Sequence, residues 1–270
     1  MKKLMLILVV AMLFIGCKKE TNNISIDINI KDSILYNGVK TEISASTNEK
    51  VESITFYIDG KSIGSISQPD YKIEYTPENL KGGTHVIKCI ALSSNGSTST
   101  KEKSINCILR LGDNFEGGNI FYIDNTGLHG LICSNEDFKT NGEFEQLTKF
   151  EYGCYDKLIG ADSEDGKYNT SLMVHNSNNY NEIGTYLKDG YIFNGYSDWY
   201  IPTENELNMI KDNIKYVDGF IYDQENSSNN CYWSSIEYSI YNAGYRNMFG
   251  LGQGATSKLK NYKIRLIRKF

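Results

Sequence analysis

Proline and histidine are scarce in this 270-residue chain, with three of each, and there are only two tryptophans. His85, His129 and His175 stand apart, and no Ser-His-Asp order, HExxH helix or glycine-rich phosphate loop is visible. Those absences remove the common routes to nucleophilic, zinc-assisted and phosphoryl chemistry, so a non-enzymatic protein is expected. A glycan hydrolase, which needs only two carboxylates across one cleft, stays as an alternative. There is no basic block and the net charge is −5, which argues against nucleic-acid binding. No cysteine spacing resembles a zinc site, no EF-hand loop is present, and no cofactor is expected. What the chain does have is 20 tyrosines, 24 glycines and many Asn and Ser residues. That mix suits a β-rich protein outside the cytoplasm with long polar loops.

Lys2 and Lys3 precede an apolar run from Leu4 to Ile15 that ends in Gly16 and Cys17. The run is shorter than the roughly 20 residues of a spanning helix and has the order of a secretory signal. Phe14-Ile15-Gly16-Cys17 resembles a lipobox, which implies cleavage after residue 16 and lipidation of Cys17. Cleavage removes two lysines and no acid, moving the charge from −5 to −7. Lys18-Lys19-Glu20 resembles the export tag of Bacteroidetes-type surface lipoproteins. It predicts an outer-membrane protein held by lipid, with residues 17–23 as a tether and the remainder exposed at the cell surface.

Residues 24–107 alternate apolar and polar in short stretches. Thr41–Thr47, Val51–Ile58 and His85–Leu92 read as half-buried strands, the last with Ile87, Cys89 and Ala91 on one face. Asp59-Gly60 marks a two-residue hairpin, and Asn37-Gly38, Gly82-Gly83 and Asn95-Gly96 mark other turns. About seven strands predict a β-sandwich. ITFYIDGKSIG (54–64) and GGTHVIKCIALSSNGST (82–98) resemble bacterial immunoglobulin-like domains, which implies a spacer. Of the five cysteines after Cys17, a Cys89–Cys107 bridge and one pair among Cys133, Cys154 and Cys231 are open readings, as are buried free thiols.

Residues 108–270 hold both tryptophans and most tyrosines. Ile120–Ile123 and His129–Cys133 predict a hairpin around Asp124–Gly127, and Tyr168–Leu187 a helix weakened by its Asn-rich run. Pro202 would end a strand, Thr203 and Glu206 form a capping box, and Leu207, Ile210 and Ile214 follow at helical spacing. Cys231–Tyr238 and Tyr262–Phe270 read as closing strands. GGNIFYID with HGLI, GAD (160–162) with Asn169-Thr170, NGYSDWYIPTENEL, YWSSIEY and RLIRKF resemble, in that order, the C-terminal domain of collagen-like bacterial adhesins and the major paralogous domains of gut and rumen bacteria. The resemblance spans 111–270. It implies an α+β domain of C-type-lectin-like architecture that binds neutral or sulfated glycans or host matrix. No Gly-X-Y stalk is present to enforce trimers, and the cysteine many members carry near Ile183 is missing. The runner-up is an accessory domain docked on another envelope protein.

Tyr238, Tyr241, Tyr245 and Arg246 fall after the YWSSIEY strand, in the loop where such a fold presents ligand; aromatic faces and a guanidinium suit sugars and anions. Trp199 and Trp233 either stack on sugar or pack in the core. Asp162, Glu164 and Asp165 form an acidic turn that is either solvated or a calcium site. Lys258, Lys260, Lys263, Arg265 and Arg268 read as a basic strand edge.

Overall fold

The computed structural model describes residues 24–140, 147–188 and 191–270. The signal, Cys17 and the tether lie outside the described residues. Eight strands occupy 26–107: β1 (Ile26–Ile30), β2 (Ile34–Leu35), β3 (Thr41–Thr47), β4 (Ser53–Ile58), β5 (Lys61–Ile66), β6 (Lys72–Tyr75), β7 (Gly83–Leu92) and β8 (Thr98–Cys107). They form two sheets, ordered β1-β3-β6 and β2-β8-β7-β4-β5. The inward set of each strand makes one core, with Ile43, Ile54, Phe56, Ile87, Cys89 and Ala91 fully buried. The period-two alternation in the sequence is therefore the sandwich interior itself. Asp59 and Gly60 have φ of 46° and 81°, the pair of positive values a tight β4–β5 turn requires. His85 is structural, its ring held by Asp59 Oδ2 at 2.6 Å and the Lys81 carbonyl at 2.8 Å.

The Cys89–Cys107 bridge does not form. Cys89 stands opposite Lys101 on β8, six residues from Cys107. At about 3.3 Å per residue that is roughly 20 Å, far beyond the ~7 Å limit for Cα atoms of a disulfide. All five cysteines are unpaired and buried, and burial pushes the Cys89 and Cys133 thiols up to about 12.

Residues 109–270 build a different kind of core. Strands β9 (Asn114–Phe115), β10 (Gly118–Ile123) and β11 (Gly130–Ser134) are followed by helices α1 (Gly166–Asn176), α2 (Ile183–Tyr186) and α3 (Glu204–Asp212). Then come β12 (Cys231–Glu237), β13 (Asn242–Asn247), β14 (Gln253–Ser257) and β15 (Ile267–Lys269). One sheet runs β15-β11-β10-β9 and the other β12-β13-β14. Neighbouring residues on β10 enter separate clusters: Ile120 joins Trp233, Phe150 and Ile264, while Phe121 joins Tyr200, Tyr232, Leu207 and Ile210 under α3. This sheet is buried on both faces, which is why β10 and β11 read as continuous rather than alternating apolar runs.

The capping box is present, with Thr203 Oγ1 accepting from Glu206 N at 3.2 Å and Glu206 Oε2 from Thr203 N at 2.8 Å. Three expectations change. The helix expected over Tyr168–Leu187 breaks in two, because Glu182 draws the backbone N–H groups of Asn178 and Asn179 away from helical partners. The strand before Pro202 reduces to a single bridge between Tyr200 and Ile267. In the C-terminal segment only Ile267–Lys269 is a strand, and the residues before it follow the needs of their buried charges. A thiol count tests the cysteine assignment: Cys89, Cys107, Cys133, Cys154 and Cys231 are expected to resist Ellman's reagent in the native chain, and all five to react after unfolding in guanidinium.

Candidate functional site

The site grows from a charge pair at the end of β12. Glu237 and Lys258 are almost fully buried, and Lys258 Nζ donates to Glu237 Oε1 at 2.5 Å. The other Glu237 oxygen accepts from the backbone N–H of Ile159 at 2.9 Å and Gly160 at 2.8 Å. Lys258 Nζ also donates to the Cys154 and Lys157 carbonyls, at 3.2 and 2.9 Å. A carboxylate and an ammonium this far from water need such additional partners, since their mutual attraction alone does not offset desolvation. The result ties residues 154–160 to the β12 end and to the segment after β14.

Above this pair the backbone is clamped again: Asp156 N donates to the Ile240 carbonyl and Lys258 N to that of Tyr241, at 3.0 and 2.9 Å. The clamp sets the half-exposed rings of Tyr155 and Tyr241 5.3 Å apart. Asp156, by its charge and by accepting from the phenol, holds the Tyr241 hydroxyl above its ordinary pKa. At the end of β12 a cleft of about 390 Å³ is lined by Asp162, Glu164, Glu204, Asn205, Ile236, Glu237 and Tyr238. Tyr238 donates to Glu204 Oε2 at 3.0 Å, and Asn205 Nδ2 to Glu164 Oε2 at 2.7 Å. The face therefore offers aromatic surface, oriented hydroxyls and exposed carboxylates. Such a set can stack on a sugar ring and accept from its hydroxyl groups.

The sequence-derived residues divide. Tyr241 stands with Tyr155 and Asp156, and Tyr238 lines the cleft with Glu204. Tyr245 and Arg246 lie on strand β13 instead of a loop, and consecutive strand residues point to opposite sides. Tyr245 packs on Tyr262 at 5.2 Å. Arg246 Nε is buried without a hydrogen bond. Neither tryptophan offers a face. Trp233 is fully buried, bonds the Phe150 carbonyl at 2.7 Å and meets the Tyr152 and Tyr262 rings. Trp199 is 7% exposed, bonds the Phe193 carbonyl at 2.9 Å and lies near the Arg268 guanidinium.

In the acidic turn, Asp165 caps α1 by accepting from Lys167 N, while Asp162 and Glu164 line the cleft. Among the described residues no three His, Cys, Asp or Glu side chains converge in a metal-binding arrangement. The basic edge is the largest correction. Lys258 and Arg265 are fully buried and Arg268 nearly so. Arg265 donates to the carbonyls of Ser134, Asp218 and Gly219, and Arg268 pairs with Asp198 and Glu116. Lys263 pairs with Asp137 at 3.1 Å, and Lys260 stays in water.

Residues 31–88 match the family model described as a bacterial Ig domain. The first module is a bacterial immunoglobulin-like domain. No curated protein matches the chain in sequence. Among solved structures, the fibronectin(III)-like modules of Clostridium thermocellum CbhA are 22% identical, covering 32% of this chain and 97% of theirs, with a TM-score of 0.27. The Bacteroides ovatus mixed-linkage glucan utilization protein SGBP-B, solved with a mixed-linkage heptasaccharide, is 16% identical over 44% of this chain and 38% of its own, with a TM-score of 0.26. Parabacteroides merdae β-glucuronidase is 12% identical, covers 40% of this chain and 15% of its own, and has a TM-score of 0.26. At these scores the structural likenesses carry no argument about function, and the immunoglobulin-like assignment rests on the family match and the sandwich.

A substitution at the buried pair tests the framework. Lys258→Met should cost about 3–5 kcal/mol by stranding the Glu237 charge, and Lys258→Met with Glu237→Gln should recover much of it. Urea unfolding of the three chains measures both.

Proposed function

We propose that this chain is a surface-anchored, non-catalytic lipoprotein. It is held in the outer membrane through Cys17, and its immunoglobulin-like module presents a lectin-like domain that binds glycans or host matrix. The observation that carries the reading is the Tyr155–Tyr241 pair: two half-exposed rings, fixed by backbone clamps, with Asp156 accepting from the Tyr241 hydroxyl. Rings already ordered before ligand arrives lose little freedom on binding. The lectin-like reading draws on the ordered motifs of 111–270 and on two small sheets flanked by α1 and α3. Exposed Asp156, Asp162 and Glu164 favour a neutral glycan over a sulfated one, because like charges repel across a partly desolvated contact. The cleft carboxylates also have other duties, which supports a binding role over hydrolysis. Glu237 holds Lys258 and two backbone N–H groups, Glu204 holds Tyr238, and Glu164 holds Asn205.

A second reading, docking onto another envelope protein, draws on a different surface. Ile221 and Leu251 are 74% and 97% exposed, beside Tyr222 and Phe249, whose rings are 5.1 Å apart. Exposed apolar side chains grouped in this way mark interaction sites.

The deciding experiment is a glycan array probed with the full chain, with calcium and then with chelator. Binding to neutral glycans is expected, weakened about tenfold by Tyr155→Ala or Tyr241→Ala, equivalent to roughly 1.4 kcal/mol. Absence of binding to every neutral and sulfated glycan overturns the glycan reading and leaves the docking one. The anchor has its own test. Cys17→Ala should move the protein from the membrane fraction to the soluble fraction, and retention in the membrane refutes lipid anchoring at Cys17.

A further inference from the structure

The connection between the two modules is shorter and better tied than a spacer needs. Cys107 ends β8 and Asn114 begins β9. Between them, Ile108 N donates back to Leu35 of the first module at 3.0 Å, and Gly112 N donates forward to Ile120 of the second at 2.8 Å. Arg110 carries both sides. Its guanidinium lies 4.5 Å from the Tyr36 ring centroid and reaches the Asn37 carbonyl, while its Nε and Nη2 grip Asp113 Oδ1 at 3.2 and 2.9 Å.

Two further contacts use residues outside the linker. Asn79 Oδ1, at a residue with φ of 56°, accepts from Glu116 N at 2.7 Å. Glu116 is in turn held by Arg268 through its carbonyl and its carboxylate. At the β10–β11 turn, Gly127 approaches Gly82 so closely that a Cβ there would stand 2.6 Å from the Gly127 carbonyl oxygen. Leu128 covers Gly83, and Leu109, 5% exposed, lies against Gly82 from the linker.

We infer that the two modules form one rigid body in solution, fixed by the linker, by Asn79–Glu116 and by Gly82–Gly127. Relative motion is the usual expectation for domains joined by a modest interface. Here three contacts oppose relative motion together. The consequence is an immunoglobulin-like module that acts as a strut, setting the direction in which the second module's surface faces. This holds whether or not that surface binds a glycan.

The test is a distance distribution in the full chain, by double electron–electron resonance between spin labels at Ser94→Cys and Ser171→Cys. Both positions are exposed, whereas the five described native cysteines are buried and escape labelling. A single narrow distribution is expected. In an Asn79→Gly, Arg110→Ala background it should widen about twofold or more, as interdomain motion returns. Glycine keeps the positive φ of residue 79, and neither side chain belongs to a core, so circular dichroism and melting should show both modules intact. Gly82→Ala should shift the mean distance by wedging the modules apart. A broad distribution in the unaltered chain overturns the proposal. So does a double variant as narrow as its parent.

Discussion

The second module depends on charge taken out of water. Lys258 and Glu237 are both sealed inside it, and two charges there are tolerable only when every remaining donor and acceptor is met. The chain meets them with backbone from the 154–160 segment, which is thereby tied to Glu237 at the end of β12 and to Lys258 after β14. Hydrophobic burial accepts many packings of similar energy, whereas an ammonium with three defined acceptors accepts few. The pair therefore selects one arrangement of loops that apolar contacts would leave loose. Arg265 does the same for the opposite end, gathering the carbonyls of Ser134, Asp218 and Gly219, with Asp137 at 2.7 Å. Arg268 extends the pattern toward Asp198, Glu116 and the Tyr196 ring. One short C-terminal segment is in this way the internal scaffold of the module.

The surface face is a consequence of that scaffold. Tyr155 follows Cys154, whose carbonyl binds Lys258, and the Tyr241 carbonyl accepts from the backbone of Lys258 itself. The buried pair thus fixes the backbone segments on which both rings stand. The acidic character of the face has the same origin. The strongly buried cations are consumed internally, and the carboxylates of Asp156, Asp162 and Glu164 are left on the outside.

Much of the fold was legible in the sequence because local rules governed it. Asp59-Gly60 needs positive φ at both positions and obtains it, Thr203 and Glu206 cap a helix, and Ile87, Cys89 and Ala91 alternate into a core. The site was legible only in part. Tyr238 and Tyr241 were visible as aromatics near the end of a strand; Tyr155 and Asp156 were not, because they lie more than 80 residues away and are brought there by backbone bonds. The basic residues misled for a physical reason. Lys258, Lys263, Arg265 and Arg268 have the spacing of a solvated strand edge, and nothing local reveals that Arg265 meets a carbonyl 131 residues earlier. Trp233 is the reverse case: an aromatic apt for stacking on sugar is buried because its indole N–H finds the Phe150 carbonyl.

Under the proposed reading of a surface-held glycan binder, a rigid junction matters most if each site is weak. Two aromatic rings and a few carboxylates on an open face give modest affinity, since most of the contact stays in water. A protein held at a surface in many copies compensates through effective concentration, which depends on how much orientational space each tether explores. A flexible spacer spreads the site over a large volume and many directions. A strut confines it, so that each neighbouring copy presents the same face to the same extended ligand. Under the proposed reading, the buried charges, the clamped tyrosines and the pinned linker then act in one direction. Each converts conformational freedom that would be lost on binding into order already established by folding.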